Sequence, residues 1–477
     1  MSKTELIFVP TPGKGHLIST IEFTKLIVKH HPEISVLVLV FHMPIHNSSN
    51  VDSYIESQSG KIDPNRITFV TLPPLEDTPD PASRNFFHSI VELQKPLIKQ
   101  AIENRSIKPS GFVLDLMCVN LVDIAKEFQV PSYIYFTTGA CLLSLMFDLQ
   151  KRFDEEGFDV GEEYSIDSDA VIDLPGLKNR VPVRVLPLLL FEKGSGWSKF
   201  FNDLSRRFRE TDGILINTLM ELEQNIIEDL QSTKNIPPIY PVGPILALEE
   251  DLRKGRDSIM EWLDVQPSSS VVFLCFGSMG SFDADQVKEI ANGLEHSGHR
   301  FLWSLRKPVN ENSYVVPSED ETFEVALPQG FLDRIGNRGK IIGWAPQVQI
   351  LSHPAIGGFV SHCGWNSILE SMWFGVPIAT WPMYSEQSLN AFELVKEFNL
   401  AVEIKMDYQR NLKENEAKIL VKAEEVEIGV TKLMGMDDDM KDRIRELKNK
   451  CRLVLEHGGS SYNWLSIFVR DLLKSSI

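Results

Sequence analysis

The chain has 477 residues, 43% of them apolar and 24% charged; this is an ordinary globular composition at a length that exceeds one compact core, so two large domains are expected. Its 48 basic and 66 acidic residues leave a net charge of −18, a field that repels nucleic acid and anionic membrane surfaces, so any phosphate site must be local. No stretch has the roughly 20 apolar residues of a membrane span: the greasiest, Tyr133 to Phe147, is broken by two threonines and Gly139, and no stable membrane insertion is expected.

Met1 to Pro10 has no basic leader and only a strand-sized apolar run, Leu6 to Val9, which argues against secretion. The five cysteines, Cys118, Cys141, Cys275, Cys363 and Cys451, are scattered and never form a CxxC pair, so neither a disulfide framework nor a zinc site is expected, and a cytoplasmic setting fits. From Leu6 the chain repeats one theme: a short apolar strand, a glycine or proline break, then a longer amphipathic run. A helix is predicted near Leu17 to His30, then strands at Val36 to Phe41, Ile67 to Leu72, Phe112 to Leu114 and Tyr133 to Phe136. That rhythm implies βαβ units around a parallel sheet.

Two points in this first half carry chemistry. The turn Thr11-Pro12-Gly13-Lys14-Gly15-His16 follows the first strand and ends in a histidine at the mouth of a helix. Its glycines let the backbone pass close to a ligand, and the positive end of the helix favours neutral imidazole, the form a general base requires. A carboxylate on the other ring nitrogen would fix the tautomer. Asp115 closes the Phe112 to Leu114 strand, and strand ends of a parallel sheet converge on one crevice, so it is the candidate. Asp123 competes but falls within the following helix, where a solvated or capping role is expected.

Between Asn235 and Ser258 lie Pro237-Pro238, Pro241 and Gly243-Pro244, then a charged run; this is the expected domain boundary. The domains are placed at 1–245 and 246–455, with 456–477 as a terminal helix, spaced by Trp464, Ile467, Phe468 and Leu472, that returns to the first domain. The second half repeats the strand pattern at Val271 to Phe276, Phe301 to Leu305, Lys340 to Gly343 and Gly358 to Ser361, with an acidic surface loop expected from Glu311 to Glu324.

The segment Trp344 to Gln387 is the most informative. A buried strand, the tight turn His362-Cys363-Gly364 and a helix opening at Trp365 make an anion site, because unpaired backbone N–H groups and the helix dipole face one point. His362, Asn366 and Ser367 add donors there, and Glu370, on the same helix face as Asn366 one turn deeper, could accept from two vicinal ribose hydroxyls. Singly, each residue could as well be a cap, a solvated face or core.

Together, WAPQVQILSHPAIGGFVSHCGWNSILESMWFGVPIATWPMYSEQ resembles the 44-residue signature box of plant secondary-product UDP-glycosyltransferases. The resemblance extends over nearly the whole chain. It implies the GT-B fold, two tandem Rossmann-like domains facing across a cleft, with the acceptor on the first and the donor on the second. Position by position it implies that Trp344 stacks on uracil, with Ala345 and Gln347 at the nucleoside. His362, Asn366 and Ser367 would bind the diphosphate, Glu370 the ribose, and Trp365, Glu386 and Gln387 the sugar hydroxyls. Phe276-Gly277-Ser278 resembles the family's phosphate-contacting turn, and Thr137 a contact to the sugar 6-hydroxyl or leaving phosphate. The family pairs a histidine and an aspartate as His16 and Asp115 are paired, at the spacing of 99 residues seen here.

The terminal Gln387 with Trp365 at the box's middle implies UDP-glucose as donor co-substrate, with no cofactor and no metal. Glu386, where many members carry Asp, adds a methylene near the sugar. The acceptor is expected to be a small lipophilic molecule, flavonoid or other phenolic first and triterpenoid second, held by Phe86, Phe87, Phe147, Leu188, Leu189, Phe191 and Trp197. A monomeric enzyme making β-O-glucosides with inversion is expected; a UDP-sugar-binding regulator without turnover is the alternative. Gly13 to Ile18 matches a dinucleotide fingerprint only in part, and Gly277-Ser278-Met279-Gly280 lacks the spacing of a hydrolase nucleophile elbow.

Overall fold

The structure is a computed structural model that describes residues 4–42, 49–58, 60–75, 77–80, 86–105, 107–193, 196–248, 256–307, 324–408 and 419–475. Runs such as Ile34–Val40, buried at every position, have no polar alternation because helices cover both faces of a parallel sheet. The first sheet takes β1 (Thr4–Val9), β2 (Ile34–Val40), β3 (Ile67–Thr71), β4 (Pro109–Asp115) and β5 (Ser132–Phe136). After a small antiparallel ribbon, β6 (Val171–Ile172) and β7 (Val181–Pro182), it is completed by β8 (Gly213–Ile216) and β9 (Ile239–Pro241). The order β3-β2-β1-β4-β5-β8-β9 is parallel throughout.

The second sheet takes β10 (Val271–Cys275), β11 (Arg300–Ser304), β12 (Gly339–Ile342), β13 (Ile356–Ser361), β14 (Ile378–Thr380) and β15 (Ala401–Glu403). Its order, β12-β11-β10-β13-β14-β15, is again all parallel. In each sheet the chain runs outward from a central strand, then crosses to that strand's other side, from β1 through β3 to β4 and from β10 through β12 to β13. The helices therefore part between β1 and β4, and between β10 and β13, leaving a crevice at the carboxyl ends of those strands.

The terminal helix Ser460–Ser475 packs on the first sheet. Its Phe468 ring lies 4.8 Å from Tyr133 and 5.8 Å from Tyr240, and burying such a ring contributes about 2–3 kcal/mol. The helix is rotated relative to the sequence expectation. Leu465, Phe468, Val469 and Leu472 face the core, at the i, i+3, i+4, i+7 spacing of an apolar stripe, while Trp464 and Ile467 are only partly buried. No described helix is long and apolar enough to cross a membrane. The acidic stretch expected as a loop lies outside the described residues up to Glu324, where a short 3-10 turn, Glu324–Ala326, begins.

Candidate active site

The helix after β1 begins at Lys14, three residues before the predicted start, with Gly13 as its extended N-cap. His16 therefore sits inside the first helical turn. A Cβ on Gly15 would meet nothing within 4 Å, so this exposed glycine makes no room for other parts of the protein. Asp115 ends β4, the strand beside β1. The sheet register thus brings residues 99 apart in sequence into contact: His16 Nδ1 lies 2.8 Å from Asp115 Oδ2.

Asp115 is itself fixed from behind. Thr11, buried in the turn after β1, donates through its hydroxyl to Asp115 Oδ1, and the Met117 amide donates to the same oxygen at 3.4 Å. Thr137, just beyond β5, places its hydroxyl 3.2 Å from His16 Nδ1. Both neighbours engage Nδ1, so Nε2 is the nitrogen left toward the cleft, and 36% of the imidazole's surface stays accessible.

The helix terminus alone favours neutral His16; the surrounding carboxylates reverse the balance. Burial lowers the imidazole's pKa, but the charge and hydrogen bond of Asp115 and the charge of Glu386 more than offset this and hold it above the ordinary 6.5. Asp123 is elsewhere, paired with Lys95 at 3.0 Å and Arg207 at 2.6 Å on a partly exposed face.

Opposite, the crevice of the second sheet holds residues of the signature box. His362 follows β13, only 6% exposed, wedged between two glycines. A Cβ on Gly277, whose φ is +75°, or on Gly364 would stand 2.5 Å from His362 Nε2, closer than real Cβ atoms come. Burial and then the positive charge of Arg306 push His362 down to about 4, against a hydrogen bond to the Cys275 backbone. The ring is neutral, with Nδ1 buried and without a partner among the described residues, as is Asn366 Oδ1.

The helix Trp365–Phe374 starts at this point, with Gly364 as N-cap and no side-chain cap, so its first N–H groups remain for a ligand. Gln347, opening a short helix, donates to Ser367 Oγ and to Glu370 Oε2, both at 2.7 Å. Burial lifts the Glu370 carboxyl to about 7 despite that bond. Ala345 is buried and Trp344 half-buried, and Lys14 reaches across from the first sheet to lie 5.0 Å over the Trp344 ring. Ser278 is exposed on the turn after β10.

Two donor-box residues join the two halves. Trp365 Nε1 donates to the Asn217 carbonyl at 2.7 Å, and its ring packs where a Cβ on Gly139 would stand 2.8 Å away; the indole is committed to this contact, leaving the Trp365 backbone amide for a ligand. Glu386 accepts from Thr138 at 3.4 Å and from Ser385 at 2.6 Å. Gln387 Oε1 accepts from the Met383 and Tyr384 amides at 2.9 and 3.1 Å. Among the residues expected to line the acceptor pocket, Phe147 is core, 3% exposed with Phe208 on one side and Arg209 over its ring. Phe86 is also buried, whereas Phe87, Leu188, Leu189, Phe191 and Trp197 are partly open.

Thr11, Lys14, Asn217 and Arg306 were not singled out in the sequence. Only Arg306 left a local signal, as a charge directly after a buried apolar strand; the others depend on which elements meet.

Two all-parallel Rossmann-like sheets with facing crevices, one with a His–Asp pair and the other with a glycine-clamped turn at a helix start, define a GT-B glycosyltransferase. The family model described as UDP-glucoronosyl and UDP-glucosyl transferase matches residues 125–423. The chain is 46% identical to a UDP-glycosyltransferase of Stevia rebaudiana, with all of both chains covered. It is 45% identical to an anthocyanidin 3-O-glucosyltransferase of Manihot esculenta, over 96% of this chain and 100% of the relative. A Medicago truncatula UGT solved with UDP-glucose superposes with a TM-score of 0.86 at 41% identity, covering 98% of each chain. The protein belongs to the UDP-glycosyltransferase family and moves a glycosyl group from a UDP-sugar.

Proposed function

We propose that the enzyme transfers glucose from UDP-glucose to a hydroxyl of a small lipophilic acceptor, a flavonoid or other phenolic before a triterpenoid, and inverts the anomeric centre. The observation that carries this reading is the His16–Asp115 contact of 2.8 Å with Nε2 left toward the cleft. In the proposed step Nε2 takes the proton of the acceptor hydroxyl as that oxygen attacks the anomeric carbon, and Asp115 stabilises the resulting imidazolium. The bond from that carbon to the diphosphate oxygen breaks on the opposite side, its electron pair leaves with UDP, and an α-linked donor gives a β-glucoside.

In this reading residues 1–245 hold the acceptor, 246–455 hold the donor, and 456–477 return to the first unit. Trp344, Ala345 and Gln347 take the nucleoside and Glu370 the ribose diol. Ser278, His362, Asn366 and Ser367 take the diphosphate, and Thr137, the Trp365 amide, Glu386 and Gln387 face the sugar. UDP-glucose is favoured by Gln387 at the end of the box and by the UDP-glucose held in the Medicago structure. Flavonoid-type acceptors are favoured by the Manihot relative's name. Both crevices come from one chain, which favours a monomer, and the five cysteines, all free and buried, favour a reducing cytoplasm.

The test is UDP release from UDP-glucose, UDP-galactose, UDP-glucuronate and UDP-xylose with a panel of flavonoids, simple phenols and triterpenoids. Wild type is expected to prefer UDP-glucose with phenolics, and His16→Ala to lose about two to four orders of magnitude in kcat. Undiminished turnover in His16→Ala would remove the base. Tight UDP-glucose binding without turnover on any acceptor would leave a donor-binding protein that is not a catalyst.

A further inference from the structure

The chain carries a net charge of −18, yet on the reading above it binds a diphosphate and releases a more negative one. The helix start at Trp365 offers partial charge, and His362 is neutral, with its pKa at about 4. A full positive charge stands beside them. Among the described residues, Arg306 is the one buried lysine or arginine, 4% exposed. It lies two residues beyond β11, at the carboxyl edge of the second sheet. Its charge acts on His362, Cys275 and Tyr384, which lie around the turn where the diphosphate reading falls.

The guanidinium also grips the turn after β10 by its carbonyls. Nη1 donates to Ser278 O at 2.8 Å, and Nη2 donates to Gly277 O and, at 3.3 Å, to Gly280 O. A trans peptide is planar, so each carbonyl aimed at Arg306 turns the N–H of the next residue away from it. Binding the Gly277 and Ser278 carbonyls thereby orients the Ser278 and Met279 amides outward, as successive donors of an anion-binding nest. The φ of +75° at Gly277 is the left-handed setting such a nest uses.

We infer that Arg306 is the positioning residue of the leaving group: its fork shapes the turn at Ser278 so that backbone amides face the diphosphate, while its buried charge supplies the potential that holds the departing UDP. This rests on the donor reading above, and it assigns to Arg306 the binding increment that comes from the phosphates rather than the nucleoside. Lysine keeps the charge but lacks the rigid planar fork whose two terminal nitrogens reach these carbonyls.

The experiment compares inhibition by UDP and by uridine, together with kcat and KM for UDP-glucose, in the full-length wild type, Arg306→Lys and Arg306→Met. Arg306→Met is expected to weaken UDP by about tenfold to a hundredfold and lower kcat, with uridine changed less than about threefold. Arg306→Lys should recover part of the UDP affinity. An equal loss of UDP and uridine binding would make Arg306 a structural prop only, and an unchanged UDP-to-uridine ratio would overturn the inference while leaving the donor reading intact. Should Arg306→Met not fold, Arg306→Lys decides alone: wild-type UDP affinity and kcat would show that the carbonyl fork does not matter. Wild type with no preference for UDP over uridine would instead sink the donor reading itself.

Discussion

Two histidines lie beside the crossovers of two similar sheets, yet they are driven in opposite directions. His16 follows β1 and is held above 6.5, because Asp115 and Glu386 outweigh its burial. His362 follows β13 and is pushed down to about 4, because burial and the Arg306 charge act together. Both imidazoles sit near a helix start, so the macrodipole does not separate them; the charged neighbours do. On the proposed reading, the base that must accept a proton is set among carboxylates, and the ring beside the diphosphate turn is kept neutral by burial together with a cation. The same fold thus sets two imidazoles in opposite directions through the charged residues beside each crossover.

The sharpest way to break this contrast is Asp115→Asn. In wild type the acidic limb of kcat/KM, which reports loss of neutral His16, should lie above 6.5, in line with the direction of its shift. Removing the carboxylate leaves burial to pull the pKa down, so the limb should move to lower pH while kcat falls by about 10²–10³-fold. A limb that stays in place would mean that Asp115 does not set the charge of His16.

A smaller effect is expected at Glu370, whose burial lifts it to about 7. Hydroxyl donors favour the carboxylate, so UDP binding should lower this pKa and release protons near neutrality. UDP affinity in wild type should therefore rise as pH increases toward about 7 and level off above it, whereas Glu370→Gln should weaken UDP by about tenfold and lose that dependence. Equal pH profiles in the two proteins, measured by calorimetry in buffers of different ionisation heat, would remove Glu370 from ribose binding.

The smallest effect concerns a pair that touches neither histidine. Glu223 and Glu393, 1% and 0% exposed, meet where the two halves pack. Glu223 Oε1 accepts from the Cys141 amide at 2.9 Å, but Glu223 Oε2 and both Glu393 oxygens have no donor among the described residues. Two ionised carboxylates cannot satisfy each other, so a proton shared by the pair is expected. Burial first, then the neighbouring Glu223 carboxylate and the charge of Glu397, push Glu393 well up. Nearby, the Cys141 thiol is pushed well up by the same burial and by all three carboxylates.

For such a raised carboxyl the stabilising proton is fully present below the unfolded value near 4.5 and is lost as pH rises through the folded value. Tm should fall as pH rises across that window. Glu393→Gln should flatten this slope and shift Tm by about 2 °C or more at neutral pH, with kcat/KM unchanged. An unaltered slope would show that the pair carries no shared proton.

Much of the fold was legible because its signal is local. The apolar runs at Val36, Phe112, Val271 and Phe301 are strands whose both faces are covered, and each predicted one falls within three residues of its observed bounds. Strands β8, β9, β14 and β15 left little trace: they are three or four residues long, and β9 ends at Pro241 in what reads as a linker, where proline is tolerated because β9 is an edge strand. The helix start at Lys14 was misjudged because its first turn carries no apolar periodicity. In the site, the strand, turn and helix start around His362 were legible because they follow each other directly in one segment. The roles of Phe147 as core and of the Trp365 indole as a tie between halves depend on packing, which periodicity does not contain.

The sequence by itself determined the parallel layers, the glycine-bounded turns at the strand ends and the residue types available there, because covalent order and apolar period act over a few residues. Only the tertiary structure decided that Thr11 backs Asp115, that Arg306 lies behind His362, and that Glu223 meets Glu393. Those neighbours come from distant segments brought together by sheet register and domain packing, and a pKa is set by what stands within a few ångströms of a group, whatever its distance along the chain.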